Sequence, residues 1–283
     1  MTGRAEGVRL RIATLNVWGK GDRWPERRGV LKAEFAHMDA DLVALQETIV
    51  APEGPADTTL DQARDVLGPE YHLVHSATRE PNGQGITTAS RWPVGRVVEL
   101  DLRVTPRTHD FACTALLIEV LVPEPIGRVW MLHHFPDYQL DHEHERTLQA
   151  LVVARAVEDV LTEQPGHVVL AGDLDAEPQA DSLRFLTGHH GVDGMSVCYR
   201  DAWTSTHGHA DRPDGDTFVP ANPNGSDWDW PYRRIDYILV RCGAHGGPTL
   251  RVMNCARTFD QPHTTISDHY GLVADLAPPP ERH

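Results

Sequence analysis

Short apolar runs recur along the chain, and most predict strands: VRLRIATLNVW (8–18), DLVALQE (41–47), YHLVH (71–75), GITTASRW (85–92), VGRVVELDLRV (94–104), CTALLIEVLV (113–122), RVWMLHHF (128–135), HVVLAGD (167–173), RRIDYILV (233–240) and HYGLVADL (269–276). Some alternate with a period of two, the mark of a strand with one wet face. Others, such as VVLA at 168–171, are continuously apolar and predict cover on both faces. Helical periodicity is rarer. Residues 142–163 lack Gly and Pro, and Leu148, Val152, Val153, Ala156, Val157, Val160 and Leu161 recur there at three- and four-residue steps, predicting a long amphipathic helix. Weaker patterns predict helices over about 25–38, with Pro25 near the start, and 57–67, closed by Gly68-Pro69. Many strands with a few helices, and no strict alternation between them, predict an α+β fold of sheets packed face to face with helices outside. No repeat, low-complexity tract or linker interrupts the 283 residues, so one domain is expected over 1–283, with its core at about 9–277.

Polar residues repeatedly close these runs. Asn16 follows IATL, Glu47 follows LVALQ, His133 and His134 follow VWML, and Asp173 follows VVLAG. Asp236 lies inside RRIDYILV, and Asp268 and His269 precede the last strand. A carboxylate or amide half-buried at a strand end costs free energy unless it is paired or bound to a metal, so this recurrence points to a shared site. Hard oxygen ligands suit Mg²⁺, Mn²⁺ or Ca²⁺, and a neighbouring histidine can move protons near neutral pH.

Composition narrows the partners. The formal charge of −15, from 26 Lys plus Arg against 41 Asp plus Glu, argues against holding polyanions by bulk charge alone; a local site with bound cations can still take a phosphate ester. Cys113, Cys198, Cys242 and Cys255 form no C-x-x-C pair, which predicts reduced, structural thiols rather than a disulfide frame or a zinc site. No stretch predicts a signal peptide or a membrane span, so a soluble cytoplasmic protein is expected, with no obvious protein partner.

TLNVWG, LVALQET, GITTASRWPVG, MLHHF, VVLAGDLDAEP, RRIDYILV and SDHYGLVADL resemble, in this order, the motifs of the endonuclease/exonuclease/phosphatase superfamily, which includes deoxyribonuclease I-like nucleases, inositol polyphosphate 5-phosphatases and neutral sphingomyelinases. The resemblance covers about residues 9–277. It implies a four-layer α/β sandwich of two mixed sheets with a Mg²⁺- or Mn²⁺-dependent site at one edge, hydrolysing phosphoesters. By the same resemblance Asn16, Glu47 and Asp268 hold the metal, and His134 acts at the phosphate. Asp173 positions or activates water, and Asp236 orients His269; either Asp173 or His269 is the base.

One position departs from the pattern. The family's usual GDFN carries Asn where this chain has Asp175, and an ionised carboxylate there cannot donate a hydrogen bond and would repel a phosphate. Either Asp175 is protonated beside Asp173, or it binds a second cation, or the substrate approaches differently; the second cation is the favoured expectation, with His133 as its other candidate ligand. The expected activity is hydrolysis of a phosphodiester by in-line water attack, nuclease-like. A phospholipid head group or small phosphorylated metabolite is the alternative substrate, and a catalytically inactive binding module is the alternative of another class. Three further features are ambiguous. HEHER at 142–146 fits a solvated helix start, DWDWPY at 227–232 either a substrate rim or a hydrophobic plug, and the tryptophans of LNVWGKGDRW either packing or the site.

Overall fold

The computed structural model describes residues 9–279, apart from 20, 22, 53–58, 209–214, 226–230 and 244–245. In chain order the elements are β1 (Leu10–Asn16), α1 (Trp24–Met38), β2 (Leu42–Pro52), β3 (Thr59–Asp61), α2 (Gln62–Leu67), β4 (His72–His75), β5 (Gln84–Ser90), β6 (Val94–Asp101), β7 (Thr114–Val122) and β8 (Gly127–Phe135). They continue with α3 (Glu143–Glu163), β9 (His167–Asp173), α4 (Asp181–Leu186), β10 (Tyr199–Asp201), α5 (Ala202–His207), β11 (Asp236–Arg241), β12 (Arg251–Thr258) and β13 (Gly271–Ala277).

The strands form two mixed sheets. One runs β12-β13-β1-β2-β5-β4, with β3 added on β2; the other runs β10-β11-β9-β8-β7-β6. Each contains a parallel pair, β1 with β2 and β8 with β9, joined by a helix that crosses on the outer face. Between the sheets lie Ile12, Leu42, Ala44, Ile86, Leu116, Ile118, Met131, Val169, Ala171 and Ile238. Outside the first sheet, Leu31 and Phe35 of α1 and Ala63 and Val66 of α2 cover Ala13, Leu15, Val43 and Leu45. Outside the second, α3 and α4 cover Leu117, Trp130, Leu132, Val168 and Leu170. The expected α+β arrangement, sheets face to face with helices outside, is the one found.

The differences from expectation are local. The predicted helix over 57–67 is a short strand, β3, followed by a helix from Gln62, because the Asp61 carboxylate caps it by accepting the Arg64 N–H at 2.9 Å. Helix α3 turns Ala150, Leu151, Val153, Ala154, Val157 and Val160 to the core and leaves Leu148, Val152 and Ala156 half-covered. Strand β12 was not expected; a bulge between Val252 and Asn254 breaks its alternation. Among the described residues no helix is long and apolar enough to cross a membrane.

Candidate functional site

β1, β2, β8 and β9 finish at one end of the sandwich, and the strand-end polar residues gather there. Facing alternation carries Asn16, Asp173 and Asp236 to the space between the sheets, since Thr14 and Ile12, Ala171 and Val169, and Ile238 and Val240 precede or follow them on that face. Glu47 gets there differently. Strict alternation after Gln46 would send it toward the helices, but the β2–β5 register shifts between Leu45 and Thr48, and Glu47 takes a left-handed φ of 59°. The bulge swings its carboxylate to the cavity side.

Asn16 ties the groups together. Its amide nitrogen donates to Glu47 Oε1 at 3.0 Å and to Asp173 Oδ2 at 3.1 Å, while its oxygen accepts the Trp18 N–H at 2.9 Å. Ser267 Oγ donates to the Asn16 carbonyl at 2.6 Å and accepts the His269 N–H, so the loop before β13 is pinned to the end of β1. His269 Nδ1 donates to Asp236 Oδ2 at 3.0 Å, and its Nε2 lies 3.8 Å from Asp173 Oδ2. Asp236, in turn, has its backbone N–H bonded to Thr217 Oγ1.

Electrostatics divides this cluster in two. Burial alone would pull His269 down, but Asp236, Asp173 and Asp268 outweigh it and raise the imidazole well above its usual range. A cation between carboxylates is therefore already in place on that side, where ligand-capable atoms of Asp173, Asp236 and His269 lie within 4.8 Å of one another. On the other side burial and the charge of Asp268 push Glu47 up to about 7, and burial also raises Asp268. Two half-buried carboxylates, each raised chiefly by burial, with Asn16 bonded to one of them, form a hard-oxygen donor set that suits a divalent cation. Arg27 offsets them only partly. Its guanidinium is spent on the carbonyls of Val17 and Ile266, it lies over the rings of Trp18 and Trp24 at 5.0 and 5.7 Å, and burial lowers it to about 10. Those two tryptophans are thus packing for Arg27.

Asp175 sits on the cavity wall with φ 48°, a conformation that short polar residues tolerate. Its N–H donates to Asp173 Oδ1 at 3.2 Å, and its carbonyl accepts from Arg233 at 2.8 Å. Burial and the charge of Asp173 raise its carboxyl well above the carboxylate range, against the pull of Arg233 3.8 Å away. The histidine expectations need correction. His134 faces the helix layer beside Leu132 and Trp130, not the cavity, and burial holds it neutral, down to about 3. The side chain that the alternation of β8 delivers to the cavity is Phe135. His133 faces inward but lies one layer below: Gln46 Nε2 donates to its Nε2 at 2.6 Å, and its Nδ1 bonds Thr88 Oγ1 at 3.0 Å. With both ring nitrogens spent, His133 is no ligand for a second ion.

The cavity has a volume of about 450 Å³. Its lining includes the largely covered Asn16, Glu47, Asp173, Asp175, Arg233 and His269, which with Gln84, Phe218 and Ile235 we call the inner end. It also includes Glu80, Asp110, Phe111, Phe135 and Tyr138, of which Asp110 and Tyr138 are exposed, and these we call the outer wall. Of these, Arg233 and the outer wall escaped sequence reasoning, because loop residues carry no periodicity; Arg233 alone had a signal, inside RRIDYILV. HEHER is not a solvated start: His142 and Glu145 are buried, and Arg146 and Gln149 brace the turn after β8. In DWDWPY residues 227–230 lie outside the described part, as does His209. His189 and His207 are exposed.

Fold and site together define an α/β sandwich with an acidic, metal-suited end. The sequence profile of the Endonuclease/Exonuclease/phosphatase family matches residues 13–269, and the chain belongs to that family, whose members are metal-dependent phosphoester hydrolases. No curated protein matches in sequence. Solved structures match in fold. An endonuclease/exonuclease/phosphatase from Bacteroides vulgatus is 18% identical with a TM-score of 0.72, covering 96% of this chain and 100% of that one. D. rerio TDP2 complexed with single strand DNA product is 19% identical with a TM-score of 0.68, covering 95% and 98%. The human Nocturnin catalytic domain with bound sulfate is 18% identical with a TM-score of 0.67, covering 96% and 95%. At such identities the likeness is one of fold.

Proposed function

We propose that the protein is a Mg²⁺- or Mn²⁺-dependent phosphodiesterase that uses water as the nucleophile. The observation that carries this reading is the gathering of acidic groups at one cavity: the Asp236–His269–Asp173 chain beside Glu47, whose carboxyl burial and the charge of Asp268 push up. Glu47 and Asp268, with Asn16 beside them, would hold the divalent cation, which would supply Lewis-acid polarisation and charge compensation. Asp173, held by Asn16 and by the Asp175 N–H, accepts the proton of the attacking water. The new P–O bond forms as the bond to the leaving oxygen breaks, and solvent protonates that oxygen. His269 is protonated, so it acts as a hydrogen-bond donor to a phosphoryl oxygen rather than as the base, with Asp236 fixing its ring. Asp175 in its neutral form donates a hydrogen bond, which removes the need for a second ion.

Of the two substrate classes, nucleic acid and a small or lipid-borne phosphodiester, the outer wall favours the second. Glu80 and Asp110 add two carboxylates to the cavity lining, which would repel the further phosphates of a polymer. Hydrolysis of bis-p-nitrophenyl phosphate with Mn²⁺ or Mg²⁺ tests the reaction: wild type is expected to be active and EDTA-sensitive, with Glu47→Gln and His269→Ala near background. Equal rates in all three proteins would leave an inactive binding module as the better description.

A further inference from the structure

The cavity has two chemically different ends. The inner end holds Asn16, Glu47, Asp173, Asp175 and His269 and, among the described lining residues, the guanidinium of Arg233. The outer wall is aromatic and acidic: Phe111, Phe135 and Tyr138, flanked by Glu80 and Asp110. Phe111 meets Phe135 edge-on with ring centroids 5.3 Å apart, and meets Tyr138 likewise at 5.0 Å.

This wall is braced. Tyr138 stands on the turn after β8, where Asp137 is buried, accepts from Gln139 N at 2.9 Å, and lies 2.8 Å from His142 Nδ1. From α3, Arg146 donates to the carbonyls of Asp137 and Gln139 at 3.1 and 2.6 Å, and Gln149 accepts the Asp137 N–H at 3.0 Å. On the facing side Glu80 Oε1 accepts the Ala112 N–H at 2.6 Å, which fixes the segment bearing Asp110 and Phe111. Tyr138 is nevertheless about half exposed, at 47%. The bracing therefore holds an aromatic ring out at the cavity mouth, where packing alone would have drawn it in.

Aromatic rings with carboxylates beside them match one kind of ligand. A nucleobase would use the rings but gain nothing from the carboxylates, and a polymer's next phosphate would be repelled by them. An apolar tail would gain nothing from the carboxylates and would desolvate Asp110. An organic cation uses both, through cation–π attraction and ion pairing. Resting on the phosphodiesterase reading above, we propose that the outer half of the cavity is a subsite for an ammonium or quaternary ammonium group carried on one arm of the phosphodiester.

Two esters that differ only in the charge of one arm test this: p-nitrophenyl phosphorylcholine against its isostere, 3,3-dimethylbutyl p-nitrophenyl phosphate, assayed on the full Mn²⁺-loaded chain. The cationic ester is expected to show a kcat/KM roughly tenfold or more above the isostere. That ratio is expected to fall toward one in Asp110→Asn and in Tyr138→Ala. An active enzyme with equal kcat/KM for the two esters would overturn the subsite and leave the phosphodiesterase reading standing, as would a single-stranded oligonucleotide turned over faster than either. If neither ester is cleaved, the functional reading fails on its own, and calorimetric binding of choline against 3,3-dimethylbutanol decides the subsite: tighter choline supports it, and equal or absent binding overturns it.

Discussion

Two neighbouring layers at the same end of the sandwich contrast sharply. In the lower layer Thr14, Gln46, His133 and Thr88 reach across from both sheets, and their side chains bond one another in a closed set. One step further along the strands Asn16, Glu47, Asp173, Asp268 and His269 are just as polar, yet their charges do not cancel. The contrast teaches that a buried polar residue at a strand end is structural when its neighbours satisfy it, and is a candidate for chemistry when they leave it in need of an ion or a substrate.

The strongest way to break that comparison is to neutralise the upper layer. Glu47→Gln is expected to lower Mn²⁺-dependent hydrolysis by about a thousandfold or more with folding intact. Calorimetry should show Mn²⁺ binding weakened in parallel, and unchanged affinity would remove Glu47 from the metal seat. His269→Ala is expected to cost roughly a hundredfold or more in kcat while leaving Mn²⁺ affinity nearly as it was.

The lower layer should respond in the opposite sense. His133→Leu strands the amide of Gln46 and the hydroxyl of Thr88, and a loss of about 2–4 kcal/mol in urea unfolding is expected, with the remaining folded protein still active. An activity loss without a stability loss would put His133 back in the site.

The layers also carry opposite pH signatures. His133 of the lower layer, lowered to about 3, contributes stability that is fully present above about 6.5 and is lost as pH falls toward 3, because the unfolded chain takes up a proton that the folded one refuses; His134, on the helix side of β8, adds to it in the same sense. Glu47, raised to about 7, works the other way: the metal-free protein loses stability as pH rises from about 4.5 through 7. Melting curves across this range should show Mn²⁺ stabilising the protein most at the alkaline end and weakly below pH 7, where Glu47 holds a proton. An ion effect independent of pH would contradict this.

The smallest effect is expected at Asp175. With its carboxyl raised well above the carboxylate range by burial and the charge of Asp173, Asp175→Asn should leave hydrolysis within about threefold near pH 7 and the Mn²⁺ stoichiometry unchanged, while extending activity to higher pH. Loss of one bound ion in this variant would restore the second-cation reading.

Much of this was legible beforehand, for identifiable reasons. Apolar runs with polar ends marked nearly every long strand, and the same ends marked Asn16, Glu47, Asp173, Asp236, Asp268 and His269, because an unpaired carboxylate after a buried run is costly wherever it falls. The histidines were not legible. His133 and His134 are consecutive and face opposite ways, and which of them looks between the sheets is set by the partners of β8, which the run itself does not reveal. Glu47 was found by its place after LVALQ, but the bulge that turns it to the cavity has no signature in those letters. Phe135 apart, which the alternation of β8 delivers, the aromatic and acidic wall comes from turns, where side-chain direction follows from bracing by α3 and Glu80 and not from any period.

One pairing has a consequence for how the molecule comes into being. β1 lies between β2 and β13, and Leu10 pairs with Leu276. The strand carrying Asn16 is thus flanked by β2, close to it in the chain, and by β13, far along it, and Asp268 and His269 arrive only just ahead of β13. On a ribosome the early sheet stays open along the β1 edge until β13 emerges, and the constellation cannot assemble before then. A polypeptide ended before Asp268 would expose the β1 edge and lack both side chains.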